Sequence, residues 1–151
     1  MSQDDVYLRA AVIEDMELLY KWRNDPICRK NSVCSEKILF ETHCIWLLDR
    51  LKSSQCDIFI CMKQNIPIGQ VRIDYEDKLG KISYSIASGY RGSGYGTKML
   101  SLLECEGKIQ KNVQMLCAIV KKNNIASGKC FEKLGYISID CGEFIYYSKR
   151  F

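Results

Sequence analysis

The sequence predicts an α/β domain of the α+β kind, with one mixed sheet of about seven strands flanked by about four helices. Three observations predict it. The chain has 151 residues, 47% of them hydrophobic, which suits one globular domain spanning 1–151 with a substantial core. Its apolar spacing switches between strand and helix periods in the order β-α-α-β-β-β-α-β-α-β-β. A glycine-alternating turn, Tyr90-Arg91-Gly92-Ser93-Gly94-Tyr95-Gly96, carries the chain from a strand-like run into a helical one.

Taken in order, Val6 to Ala11 reads as the first strand. Ile13-Glu14-Asp15-Met16 opens a helix with acids in its first turn and Met16, Leu19 and Tyr20 on one face. Asn24-Asp25-Pro26 stops it, and residues 27–37 read as polar and irregular. Phe40 to Leu51 forms the second helix, with Cys44, Leu47, Leu48 and Leu51 apolar at helical spacing and His43 and Trp46 sharing a face. Cys56 to Met62 and Ile66 to Tyr75, joined at Lys63-Gln64-Asn65, read as a hairpin. A polar turn, Glu76 to Gly80, leads to the strand Lys81 to Ile86. The glycine turn and a helix from Thr97 to Lys108 follow. Met115 to Val120 is continuously apolar, as a buried central strand requires. Asn123-Asn124 caps a helix carrying Ala126, Cys130, Phe131 and Leu134 on one face, which Gly135 ends. Tyr136 to Asp140 and Phe144 to Lys149 close the chain as a hairpin around Cys141-Gly142. The aromatic run Phe144-Ile145-Tyr146-Tyr147 reads either as an edge strand that pairs between subunits, giving a homodimer, or as the last core strand.

Composition excludes several classes of function. The net charge of +4 comes from 22 basic and 18 acidic side chains. The longest basic runs, Arg29-Lys30 and Lys121-Lys122, are too short for a nucleic-acid stripe. A modest positive field suits an anionic cofactor or substrate as well as it suits solvated lysines. Nine cysteines form no C-x-x-C pair, and one histidine, His43, cannot complete a common zinc set, so no metal site is expected. Cys61, Cys117 and Cys130 fall where small apolar residues would serve, as free thiols in a reducing cytosol do. The polar start, Met1 to Asp5, is no signal peptide, and no apolar run approaches about 18 residues, so a cytoplasmic protein that does not cross a membrane is expected.

The glycine turn carries chemistry. Glycines at 92, 94 and 96 let backbone N–H groups converge at a helix N-terminus, where a phosphate group can approach closely. A bare strand-to-helix turn with no ligand is the alternative.

With a second motif the chain resembles the GNAT superfamily of acetyl-CoA-dependent N-acetyltransferases over nearly its whole length. Arg91-Gly92-Ser93-Gly94-Tyr95-Gly96 matches the superfamily's Arg/Gln-x-x-Gly-x-Gly/Ala motif. The asparagine-led helix ending in a glycine–aromatic pair is matched by Asn124 through Leu134-Gly135-Tyr136. The resemblance implies a mixed, mostly antiparallel sheet whose strands Lys81–Ile86 and Met115–Val120 splay apart. It implies acetyl-CoA as cofactor, held by residues 91–97 (Arg91, Gly92, Ser93, Gly94, Tyr95, Gly96 and Thr97), by the backbone of Ile86 and Ala87, by Asn124 and beside Phe131. Amine attack on a thioester needs a neutral amine, a donor to the carbonyl oxygen and departure of a thiolate. A backbone N–H near Ile86 is the expected donor. Many GNAT enzymes carry a tyrosine as general acid where this chain has Phe131. That departure leaves the acid open. A thiol pKa of roughly 8.5 already makes thiolate a tolerable leaving group. Candidate bases are His43, Tyr84 and Ser85, the last two on opposite faces of their strand. Asp74 and Glu76 read equally as turn residues.

The N-terminal third, Trp22-Arg23-Asn24-Asp25-Pro26, then Arg29, then His43 and Trp46, looks like a GNAT subgroup that acetylates an amino group on a nucleotide-linked deoxy-sugar, in pseudaminic acid-type biosynthesis. In that reading Arg23 and Arg29 bind a diphosphate, while Trp22 or Trp46 stacks on a base or sugar. Trp22, Arg23, Asn24, Arg29, His43 and Trp46 are then the substrate-binding residues. The same tryptophans also suit the core, and Arg23 an ordinary ion pair. The Trp-Arg-Asn-Asp-Pro stretch also resembles enzymes that acetylate protein N-termini, ribosomal ones included. A non-catalytic coenzyme A sensor, favoured by Phe131, is the third reading.

Overall fold

The computed structural model describes residues 5–151, so the start read at Met1 to Asp5 lies almost wholly outside the described residues. The elements are β1 (Val6–Ala10), a 3-10 turn (Ile13–Asp15), α1 (Met16–Arg23), α2 (Pro26–Asn31), α3 (Phe40–Lys52), β2 (Cys56–Lys63), β3 (Ile66–Glu76), β4 (Leu79–Ile86), α4 (Tyr95–Cys105), β5 (Met115–Lys121), α5 (Ile125–Lys133), β6 (Ile137–Asp140) and β7 (Phe144–Arg150). The seven strands make one sheet ordered β1-β2-β3-β4-β5-β7-β6. Every neighbouring pair is antiparallel except β4 and β5.

Alternation along the strands divides the side chains between two faces. Val71 and Ile73 of β3, Ile82 of β4 and Leu116, Ala118 and Val120 of β5 join Met99, Leu100 and Leu103 of α4 and Phe131 of α5 in the larger core. The opposite face is covered where Ile58 and Ile60 of β2 meet Leu19 of α1 and Leu47 of α3.

Several expectations change. Residues 27–37 are not all irregular: Asp25 accepts from the N–H groups of Ile27 and Cys28 and starts α2, with Pro26 in its first turn. Among the described residues this makes five α-helices, one more than the about four expected, in the mixed, mostly antiparallel architecture the sequence predicts. The helix after the glycine turn ends at Cys105 rather than Lys108, and Gly107 follows in a left-handed conformation, φ 66°. Leu48 of α3 is exposed. The aromatic run Phe144–Tyr147 belongs to β7, an interior strand between β5 and β6, so the edges of the sheet are β1 and β6. All nine cysteines are free thiols; Cys61 and Cys117 are buried and Cys130 is half-buried, while Cys34, Cys105 and Cys141 are exposed.

Candidate active site

The site begins where β4 and β5 part. They pair only from Leu79–Met115 to Lys81–Cys117, after which β4 runs on to Ile86 and β5 to Lys121 without meeting. The N–H of Ala87 is taken by the Ile68 carbonyl on β3. Strand alternation therefore turns the backbone groups of Tyr84 and Ile86 toward the gap. Of the two residues expected to offer backbone there, Ile86 faces the gap and Ala87 does not.

At the end of β4 the glycine turn meets α4. Gly94 is its N-cap in the left-handed region, φ 86°, and, being glycine, brings no capping side chain of its own. Gly92 is also left-handed, φ 77°, with open space where a Cβ would stand. A helix N-terminus approached through glycines fits a phosphate group. Gly96 has another job. A Cβ there would lie 3.2 Å from Cys130 Sγ and 3.3 Å from Tyr84 Cε2, so this glycine lets α4 pack on α5 and β4. Nor is the Arg91 guanidinium turned to the helix end. Its Nε donates to the Ile86 carbonyl at 2.9 Å and its Nη2 pairs with Asp25 at 2.8 Å.

Two cavities flank the gap. One, of about 390 Å³, runs between β4 and β5 and is bordered by Tyr84, Ile119, Asn124, Ser127, Phe131 and the segment 31–34 after α2. The other, of about 210 Å³, lies under α1 and α3, bordered by Leu19, Trp22, Ile38, His43, Trp46, Ile58 and Ser85. Arg23, Gln70 and Arg72 border both. Tyr84 and Ser85 thus face different cavities, as alternation requires.

Asn124 both caps α5, accepting from the Ser127 N–H at 3.4 Å, and lines the gap. Phe131 is buried among the rings of Tyr84, Tyr136 and Tyr147, at centroid distances of 5.9, 5.0 and 5.4 Å. Burial raises the Tyr84 phenol well above its ordinary range, with Cys130 adding to the rise, so it keeps its proton at neutral pH. His43 is 2% exposed and lies 3.2 Å by Nε2 from the Met16 carbonyl. A carbonyl only accepts, so Nε2 carries the proton and the lone pair is on Nδ1. Burial lowers the His43 pKa, and the nearby charge of Arg23 lowers it further. Ser85 Oγ accepts from Gln70 Nε2 at 3.1 Å.

Three expected substrate residues are placed differently. Asn24 makes paired hydrogen bonds with the backbone of Ile38, both 2.9 Å, and holds the segment before α3. Arg29 borders neither cavity. Arg72 and Arg50 lie over the Trp46 ring, at 5.2 and 5.9 Å from its centroid, while both bond to Asp74. Cation–π contacts occupy the ring that the sequence offered for stacking on a base. Gln70 and Arg72 are the site residues that sequence reasoning missed. Their signal was a polar residue at every second position of β3, between Val71 and Ile73.

Fold and site define the α/β class in which a mostly antiparallel sheet splits beside a glycine turn. The acetyltransferase (GNAT) domain family matches residues 5–137, and the chain belongs to that family of acetyl-CoA-dependent N-acetyltransferases. A search of curated proteins gave no match. Among solved structures, spermidine N-acetyltransferase from Vibrio cholerae in complex with coenzyme A and spermine is similar at 14% identity and TM-score 0.85, with 97% of this chain and 96% of that one covered. A ribosomal L7/L12 alpha-N-protein acetyltransferase in complex with coenzyme A is similar at 13% identity and TM-score 0.83, covering 97% and 94%. The aminoglycoside acetyltransferase AAC(6')-Ib in complex with ribostamycin and coenzyme A is similar at 19% identity and TM-score 0.82, covering 97% and 94%.

Proposed function

We propose that this N-acetyltransferase acetylates the primary amine of a nucleotide-linked deoxy-amino-sugar, by direct attack in a ternary complex. The observation that carries the reading is the smaller cavity, where Trp22, His43 and two arginines border the space and, among the described residues, no carboxylate does. The polyamine and aminoglycoside acceptors of the similar enzymes are polycations, which such a lining disfavours. Cavities for whole drug-sized ligands run from about 300 Å³ upward. One of about 210 Å³ takes the amine-bearing ring and leaves the nucleotide outside.

In this reading the backbone of residues 92–97 holds the pyrophosphate of coenzyme A, and the β4 backbone at Tyr84 and Ile86 pairs with the pantetheine arm as an added strand does. Asn124 lines the same arm. The bound cofactor supplies an activated acetyl group and a thiol leaving group. Tyr84, on the cofactor side with its proton retained, offers its phenol O–H as a hydrogen bond toward the departing sulfur, where Phe131 offers none; the burial that raises its pKa makes it a weak acid, so the thiol leaves as thiolate. His43, neutral at pH 7, borders the acceptor side and receives the amine proton on its ring nitrogen, while Ser85 beside it hydrogen-bonds the amine.

Offering acetyl-CoA with UDP-linked 4-amino-4,6-dideoxy sugars, short peptides, spermidine or an aminoglycoside, and following free thiol, tests the assignment. Turnover with the amino-sugar and not with the polycations is expected. Turnover with peptides alone would replace the sugar reading by protein N-terminal acetylation. Cofactor binding without turnover on any amine would make the domain a sensor.

A further inference from the structure

We infer that the wall shared by the two cavities is an anion site built on Arg23 and Arg72, and that the acceptor carries a carboxylate or phosphate no farther from its amine than the width of one sugar ring. The inference rests on the acetyltransferase reading and narrows it to amines whose negative group reaches this wall.

Arg23 is the first ground. Its Nη1 is buried and has no hydrogen-bond partner, while its Nη2 donates to the Cys34 carbonyl at 3.3 Å. An unpaired buried donor costs about 1–3 kcal/mol, and more for a charged group, so it calls for an acceptor that arrives with a ligand. Arg29 Nε and Arg50 Nε are also buried and unpaired, but neither residue borders either of these two cavities. Of the three side chains, Arg23 is the one that borders these cavities.

Charge is the second ground. Arg72 spends its Nε on Asp74, at 3.0 Å, and that carboxylate also takes Arg50 Nη1 at 3.0 Å. Two guanidiniums share one carboxylate, which leaves a net positive charge beside the wall. Lys81 adds another on the larger cavity, and among the described residues no Asp or Glu borders either one. Gln70 donates its Nε2 to Ser85 and carries no charge, so the wall keeps its positive sign.

Position is the third. An amine must stand at the junction of the two cavities to meet the thioester, and Arg23 and Arg72 border that junction. A positive wall there opposes a bare ammonium or polyamine and accepts an amine whose own anion pairs with the guanidiniums.

The probe is inorganic phosphate, titrated calorimetrically into protein saturated with coenzyme A so that the glycine turn is already filled. Phosphate is expected to bind, with affinity at least tenfold lower in Arg23→Gln and largely kept in Arg23→Lys. Circular dichroism and the unfolding temperature confirm that each variant folds. Absence of phosphate binding to the wild type, or affinity within twofold of it in Arg23→Gln, overturns the site. A turnover arm compares phosphoethanolamine with ethanolamine and acidic with neutral peptides. Spermidine serving as well as the anion-bearing amines overturns the acceptor class. Arg23-dependent phosphate binding with no amine acetylated keeps the site and removes the acetyltransferase reading. Acetylation of the nucleotide sugar with phosphate binding unchanged in Arg23→Gln does the reverse.

Discussion

His43 sets a pH dependence that no other side chain of this sequence can supply, because it is the only histidine. Burial and the charge of Arg23 hold its folded-state pKa below the ordinary 6.5. Above 6.5 both folded and unfolded chains carry it neutral, and its contribution to stability is complete. As pH falls through 6.5 the unfolded chain takes up a proton that the folded protein refuses, so stability declines until the folded pKa is reached. Asp15 and Asp25 also have lowered pKa values, but their losses begin only near 3.8, in a separate window. Urea midpoints measured from pH 8 to pH 5 should therefore fall, and His43→Gln, which keeps a side-chain N–H for the Met16 carbonyl, should flatten the fall. An unchanged slope in the variant would show that another group carries it. At Phe131 the expectation concerns catalysis. Phe131→Tyr puts a hydroxyl among three tyrosine rings at the edge of the larger cavity, where an unmet hydrogen bond costs about 1–3 kcal/mol. Turnover should persist in this variant, because Tyr84 supplies a phenol on the same side. Loss of turnover with cofactor binding intact would displace Tyr84 from that role.

Among the elements, α2 shows what the sequence concealed. Six residues are too few for a hydrophobic period to register, and none of them is buried. The signal was present in Asn24-Asp25-Pro26, which reads as a stop for α1 and is also the N-cap and first turn of the next helix. The strands were legible because each is long enough to alternate, and the glycine turn because glycine is needed where φ is positive. The placement of Arg91 and Trp46 was not legible, since their partners Asp25 and Arg72 are distant in sequence. Asp25 links two of these elements. Its carboxylate loses solvation, and the N–H of Cys28 together with Arg91 outweighs that loss and lowers its pKa. Asp25→Ala should cost about 1 kcal/mol, as loss of an N-cap does, and should speed amide exchange in residues 26–31. Asp25→Ser keeps a capping oxygen and removes the ion pair with Arg91, so the difference between the variants isolates the link from α2 to the glycine turn. Equal exchange in wild type and Asp25→Ala would mean that α2 is held by other contacts.

The whole molecule is a sheet in two unequal blocks, β1-β2-β3-β4 and β5-β7-β6, joined by the short parallel pairing of β4 with β5. On the face covered by α4 and α5 the apolar core runs unbroken across that seam, from Val71 and Ile73 through Leu116 and Ala118 to Tyr147. Beyond Lys81 and Cys117 nothing bridges the strands by backbone hydrogen bonds. A cofactor arm in the gap would add contacts to both lips, and any ligand that binds only the folded state stabilises it by mass action. At a coenzyme A concentration about 100 times its dissociation constant the gain is about 2.7 kcal/mol. For a chain of this length each kcal/mol moves the unfolding temperature by about 2–4 °C, so the expected rise is roughly 5–10 °C. Hydrogen exchange should slow at Tyr84 and Ile86 on one lip and at Ile119 on the other, the second lip remote in sequence from the glycine turn. Gly94→Val, which forces a β-branched residue to φ 86°, should abolish the rise by distorting the helix end that holds the phosphates. A rise of equal size in Gly94→Val would place the cofactor away from the turn. Protection confined to residues 91–97 would show that the cofactor's phosphates bind while its arm does not enter the sheet.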